Sequence, residues 1–230
     1  MAPVFLCAAL LTKPARSDPE VDRAPEWTYL SVEGVPVLVH PPSETREAPA
    51  TVTVMLHGMC DVPERECPAF ASAVAKRGFL VCPRGPSPCA GGGATWSSGA
   101  THLVERAVAA LVARYPGRVD ATARTLIGFS LGAFVAARIA AEDPVHWPHL
   151  VLIAAKAPLD PARLANNGVE RVVLASGTYD LSRDHLRRAS AVLASHGIAT
   201  TFLSLGPVGH RFAEDMDGWT ESALAWLERP

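Results

Sequence analysis

The chain has 230 residues, 49% of them hydrophobic and 19% charged, with a formal net charge of −2. That is the size and composition of one globular domain able to bury a core of its own. It excludes the basic face that nucleic acid requires, and no internal repeat, long like-charge run or bilayer-length apolar stretch is present.

The N-terminal run "VFLCAALL" (Val4 to Leu11) has the apolar compactness of the central region of an export signal. It lacks the preceding basic residues, and no small-x-small cleavage site follows. Residues 1–26 are therefore set apart as an N-terminal segment, expected to be a shortened signal peptide, with a packed or solvated tail as the alternative. Residues 27–230 are expected to form a single domain.

"YLSVEG" and "VPVLVH" read as two short strands around Gly34. "TVTVML" (Thr51 to Leu56) is β-branched on both faces, as in a strand buried on both sides. Phe70, Val74 and Arg77 at helical spacing predict a helix from Glu64 to Arg77, stopped by Gly78. "FLVCP" is the next strand, ended by Pro83, and a Gly/Pro/Ser-rich loop runs on to Gly99. Leu103, Ala107 and Leu111 mark a long amphipathic helix that stops before Pro116. "RTLIGF" is a strand, Leu131 to Ala141 an alanine-rich helix, and "LVLIAA" and "RVVLASG" are two more strands. Ser182 is expected to cap a helix running to Ser195. "TTFLSL" is the last strand, and a helix bearing Trp219, Ala223 and Trp226 closes the chain. Strands alternate with helices from Thr51 onward, which predicts an α/β fold: a mostly parallel sheet with helices on both faces.

Ligands on such sheets bind beyond the carboxyl ends of the strands. At those ends stand His57, Gly58 and Met59 after "TVTVML", Ser130 after "TLIGF", Tyr179 and Asp180 after "VVLASG", and His210 in the loop after "TFLSL". "GFSLG" (Gly128 to Gly132) places a serine between two glycines where a strand turns into a helix. A serine projected from so sharp a turn needs neighbours without side-chain bulk, and it stands at the helix N-terminus, where backbone N–H groups and the helix dipole favour developing negative charge.

With Ser130, Asp180 and His210 in that chain order, each after its own strand, the chain resembles the α/β-hydrolases, whose nucleophile elbow reads G-x-S-x-G. The resemblance covers residues 27–230. It implies Ser130 as nucleophile, His210 as general base and Asp180 as the carboxylate that orients the imidazole. Asp184, one turn into the following helix, is the competing acid. "LHGM" resembles the family's oxyanion loop, so the N–H groups of Met59 and Leu131 are the implied oxyanion donors, with His57 bracing the loop. Trp96, in the Gly-rich loop, is expected to wall a substrate pocket, with a plain surface loop and a packed Trp96 as the alternative. Only about fifteen residues separate "LVLIAA" from "RVVLASG", too few for a lid. The layout is similar to small carboxylesterases and dienelactone-hydrolase-like members, although dienelactone hydrolases proper use cysteine. The "HGGG" loop of one lipase group is missing, and Ala133 stands where oligopeptidase-type members carry another glycine.

The implied activity is hydrolysis of small acyl esters through an acyl-enzyme, with amide hydrolysis, or binding without catalysis, as the alternatives. The implied partner is a small-molecule ester; no metal or organic cofactor is implied.

Cys60, Cys67, Cys82 and Cys89 fall within one short window without CxxC spacing, which disfavours zinc. Beside the signal-like start they favour two disulfides and an extracytoplasmic location, against free thiols in the cytoplasm. Closure of short loops favours the pairs Cys60–Cys67 and Cys82–Cys89.

Overall fold

The computed structural model describes residues 27–44, 47–142 and 147–229. Residues 1–26, with Cys7 and the signal-like run, lie outside them. The chain opens with a hairpin, β1 (Thr28–Val32) and β2 (Val35–His40), turned by Glu33 and Gly34 in the left-handed region. Then follow β3 (Ala50–Leu56), α1 (Pro63–Glu66), α2 (Pro68–Ala75) and β4 (Gly78–Pro83). A small ribbon, β5 (Ser87–Pro88) and β6 (Ala94–Thr95), precedes α3 (Ala100–Arg114), β7 (Val119–Phe129), α4 (Leu131–Glu142) and β8 (His149–Ile153). The chain ends with α5 (Pro161–Asn166), β9 (Arg171–Ser176), α6 (Arg183–Ser195), β10 (Ala199–Ser204) and α7 (Met216–Leu227).

Eight strands form one sheet in the order β1-β2-β4-β3-β7-β8-β9-β10. The six strands β4, β3, β7, β8, β9 and β10 run parallel, and the hairpin joins the β4 edge antiparallel. Alternate residues of the central strands feed two cores. Val52, Val54, Leu126, Leu150, Leu152 and Val172 face α3, α4 and α6. Met55, Ile127, Val151, Ile153 and Val173 face α2 and α7. This two-sided burial is what the unbroken apolar strands anticipate. Outside the second core, Arg77 ties α2 to α7 through Glu221 at 2.6 Å and Glu228 at 2.8 Å.

Three expectations change. The helix predicted over Glu64 to Arg77 is two helices, because Pro68 has no N–H to give the preceding turn. β7 starts at Val119, several residues before "RTLIGF", and pairs with β3 through a register shift between Ala50 and Val52. The four cysteines among the described residues are bonded, but not in the expected pairs. Cys60 joins Cys89 with Cα atoms 5.5 Å apart, and Cys67 joins Cys82 at 6.5 Å. The reason is topological. In the β3–α2–β4 crossover the helix runs against its strands, so its start at Cys67 lies level with the end of β4 at Cys82. Cys60 instead meets the ribbon: Asp61 bridges to Ala94, and a methyl at Gly93 would collide with the Cys60 carbonyl. Loop length favoured neighbours in sequence, but the sheet decides which cysteines are neighbours in space.

Candidate active site

The turn at Ser130 is built from absences. A side chain at Gly128 would strike the backbone of Gly132 and Ala133, and one at Gly132 would strike the Leu56 carbonyl of β3. Ser130 takes φ 52°, a left-handed conformation that non-glycine residues rarely hold. It is pinned by its own N–H donating to Ile153 O at 2.9 Å and by Ala133 N–H donating to Ser130 O at 3.0 Å. Leu131 is the first residue of α4, so its N–H belongs to the turn that has no partner within the helix.

Two more strand ends converge on this turn. Asp180 follows β9 and is buried, while His210 stands in the loop after β10 with its side chain about half exposed. That loop is clipped to the end of β9: Thr178 N–H donates to Gly206 O at 2.9 Å and Tyr179 N–H to Val208 O at 3.0 Å. His210 also packs on Phe129, with ring centroids 5.3 Å apart. The result is one hydrogen-bonded line. His210 Nδ1 lies 2.8 Å from Asp180 Oδ2, and His210 Nε2 lies 2.8 Å from Ser130 Oγ. An ionised carboxylate only accepts, so Nδ1 carries the proton and Nε2 is left to accept from the serine hydroxyl. Burial acts against the Asp180 charge, but hydrogen bonds from Ser182 and His210 outweigh it and hold the carboxyl below its ordinary range. Ser182 contributes its N–H, 2.7 Å from Asp180 Oδ1, and makes no side-chain cap to α6, contrary to the expectation for it. Asp184, the competing acid, lies exposed in the first turn of α6.

The segment after β3 is fastened from several directions. His57 is buried, its Nε2 accepting Gly85 N–H at 2.9 Å and its Nδ1 donating to Gly58 O at 2.8 Å. Burial dominates its titration and lowers its pKa, which keeps the ring neutral in this bracing role. Trp96 Nε1 donates to His57 O at 2.8 Å, and its ring lies 4.8 Å from the imidazole. Gly58 N–H meets both oxygens of Glu66, at 3.2 and 3.1 Å. Cys60, at φ 55°, is tied to Cys89. Between these anchors, Met59 N–H meets no acceptor among the described residues.

Beside the elbow, a groove of about 630 Å³ runs along α4. Leu131, Phe134 and Val135 form its floor, Trp96 and Ser97 one wall, and Arg138 and Arg163 its polar far end. Met59, Phe134, Tyr179 and Leu181 are exposed large apolar side chains. The segment from β8 to β9 holds only the short α5 and covers nothing with a separate cap.

Glu66 is the residue that sequence reasoning missed. A signal was there: Glu66, Phe70 and Val74 are four apart, so the acid lies on the apolar stripe of the predicted helix. His40, His102, His185 and His196 make local contacts away from the elbow, to Pro41, Glu33, Ala157 and Val192 respectively. His149 begins β8, and His146 lies outside the described residues.

No family model and no curated protein sequence matches the chain. Solved structures do. TT1662 from Thermus thermophilus superposes with a TM-score of 0.65 at 19% identity, over 90% of this chain and 99% of that one. FphF, a fluorophosphonate-binding serine hydrolase of Staphylococcus aureus, gives 0.67 at 13% identity, over 90% of this chain and all of that one. A ferulic acid esterase gives 0.66 at 13% identity, over 89% and 96%. Strand order, strand-end geometry and these superpositions agree: the chain has the α/β-hydrolase fold, with no cap domain among the described residues.

Proposed function

We propose that the protein is a serine hydrolase that cleaves carboxylic esters of small acyl groups. The observation that carries this reading is the continuous line from Ser130 Oγ through His210 to Asp180, with both contacts at 2.8 Å. Ser130 Oγ attacks the ester carbonyl carbon while its proton passes to His210 Nε2. The carbonyl oxygen becomes an oxyanion held by the N–H groups of Met59 and Leu131, and donors of this kind are worth about 3–4 kcal/mol each to a transition state. The tetrahedral adduct collapses, the C–O bond to the alcohol breaks, and His210 returns the proton to the leaving oxygen. Water then repeats the sequence on the acyl-enzyme: His210 takes its proton, the hydroxide adds to the carbonyl, and Ser130 leaves with the proton restored. Asp180 keeps the imidazole in the needed tautomer and stabilises the imidazolium at each stage. The groove beside α4 receives the apolar part of the ester, with Trp96 as its wall.

The reading extends to location. Two disulfides in one short window, behind a signal-like N-terminus, support an oxidising compartment and export. The experiment is direct. Wild-type protein should hydrolyse p-nitrophenyl acetate or butyrate, prefer such esters to peptidyl amides in the same panel, and label stoichiometrically with a fluorophosphonate at Ser130. Ser130→Ala should lose both turnover and label at nearly unchanged stability. Label on a different serine, or turnover kept by Ser130→Ala, rejects the assignment.

A further inference from the structure

The segment that carries Met59 is held by contacts of different kinds: a disulfide, an indole, an imidazole and one carboxyl. The carboxyl is the anomalous member. Glu66 ends α1 at 5% exposure, and a buried acid is costly unless a specific partner rewards it. The reward here is not a salt bridge. Arg65, the cation that acts on it, is itself paired to Asp61 at 3.0 Å. Instead both oxygens of Glu66 lie on a single backbone donor, Gly58 N–H. Gly58 is caught between two walls, since a methyl on it would sit 3.1 Å from Glu66 Oε1 and 3.3 Å from Phe129 Cδ1. Phe129 immediately precedes Ser130 and packs on His210. Glu66 therefore presses the peptide before Met59 against the residue before the nucleophile.

We propose that Glu66 is a positioning residue for oxyanion stabilisation: by accepting the Gly58 N–H it sets the distance from the Met59 N–H to the Ser130 side chain. The proposal rests on the reading above that Met59 supplies an oxyanion donor. Glu66 touches no substrate and acts only through the Gly58–Met59 peptide.

Its titration gives the device a signature. Burial, reinforced by the like charge and hydrogen bonding of Asp61, pushes the Glu66 carboxyl up to about 8, against the opposing pull of Gly58 N–H and Arg65. His57, on the other side of Gly58, is held neutral by burial and adds no charge in this range. At neutral pH the carboxyl is protonated, with its oxygens facing the Gly58 N–H, and the negative charge of Asp61 nearby disfavours its ionisation. Ionisation sets two carboxylates against each other, so the seat of the Gly58 peptide shifts. Turnover falls on the alkaline side for a reason unrelated to His210.

The test compares wild type, Glu66→Gln and Glu66→Leu on p-nitrophenyl butyrate, with fluorophosphonate labelling of Ser130 as the reference. Gln keeps an acceptor for Gly58 but cannot ionise, so its kcat at pH 7 should stay within about threefold of wild type. Leu offers no acceptor. It should lower kcat about 10- to 100-fold with KM nearly unchanged, less than deletion of an oxyanion donor outright. The wild-type kcat profile should show an alkaline limb near pH 8, and Glu66→Gln should lack it. Should Glu66→Leu fail to fold, the two pH profiles decide alone. An identical alkaline limb in wild type and Glu66→Gln overturns the proposal, and so does a folded Glu66→Leu with wild-type kcat. Wild-type protein that neither turns over nor labels at Ser130 instead overturns the functional reading beneath it.

Discussion

Breaking the outer disulfide, with Cys60→Ser and Cys89→Ser together, separates what this bond does for the fold from what it does for the site. In the chain-entropy account a cross-link stabilises by restricting the unfolded chain, and the effect grows with the logarithm of the loop it closes. Taken alone, the 29-position Cys60–Cys89 loop is worth about 3.6 kcal/mol at 25 °C, and the 15-position Cys67–Cys82 loop about 3 kcal/mol. The loops are nested, however. With the inner bond intact, the free path between Cys60 and Cys89 shortens from 29 to about 14 positions, so the outer bond adds only about 3 kcal/mol. Denaturant unfolding should show that loss, and a thermal scan a Tm lower by about 6–12 °C for a chain of this size. Removing both bonds should cost about 6 kcal/mol, a large part of ordinary domain stability. Turnover should suffer less than stability in the outer-bond variant, because Glu66, His57 and Trp96 still hold the Gly58–Met59 peptide. A loss below about 1 kcal/mol in the double-serine variant would refute the reasoning. So would four free thiols in protein made under oxidising conditions.

Three further outcomes are expected. Asp180→Asn should keep the fold and lower kcat by about four orders of magnitude through the wrong imidazole tautomer, while Asp184→Asn stays near wild type; the reverse order would mean that the exposed acid is the working one. Stability should fall with rising pH between the ordinary carboxyl value of 4.5 and about 8 on account of Glu66. In that window the unfolded chain has released a proton that the folded chain keeps, so folding loses about 1.4 kcal/mol per pH unit. Urea midpoints at pH 5.5 and 8.5 should therefore diverge more in wild type than in Glu66→Gln, and parallel changes would deny the burial of a protonated acid. With no cap to open, the rate on tributyrin should rise smoothly through its solubility limit, and an abrupt jump there would show that something does cover the groove.

The residues at the ends of the parallel strands were legible because one strand-to-helix turn, two strand ends and a chain order constrain each other. Ser130 needed its two glycines, and the backbone collisions that a side chain would cause at Gly128 and Gly132 give the reason. Asp180 stood out from Asp184 because it precedes the helix and does not ride on it. What stayed hidden depends on packing between segments. Pro68 breaks a helix whose apolar spacing runs straight through it. The cysteine pairs follow from which helix start lies level with which strand end, and spacing along the chain does not encode that. Glu66 has the look of a first-turn carboxylate complementing a helix dipole, and only the fold places it against Gly58.

The nesting of the two bonds also bears on how the chain must be oxidised. Of the four bonded cysteines, Cys60 and Cys67 leave a ribosome or translocon first, seven positions apart, and a loop that short closes readily on itself. An oxidant acting on these four thiols strictly in order of emergence would join them, leaving Cys82 and Cys89 to each other. Neither bond would be native. The observed pairs require Cys60 and Cys67 to wait until the β4 segment and the ribbon have arrived, or require thiol–disulfide exchange to undo the early bond through a mixed-disulfide intermediate. Yield of this protein in a foreign host is thus a question of thiol shuffling capacity as much as of oxidising power.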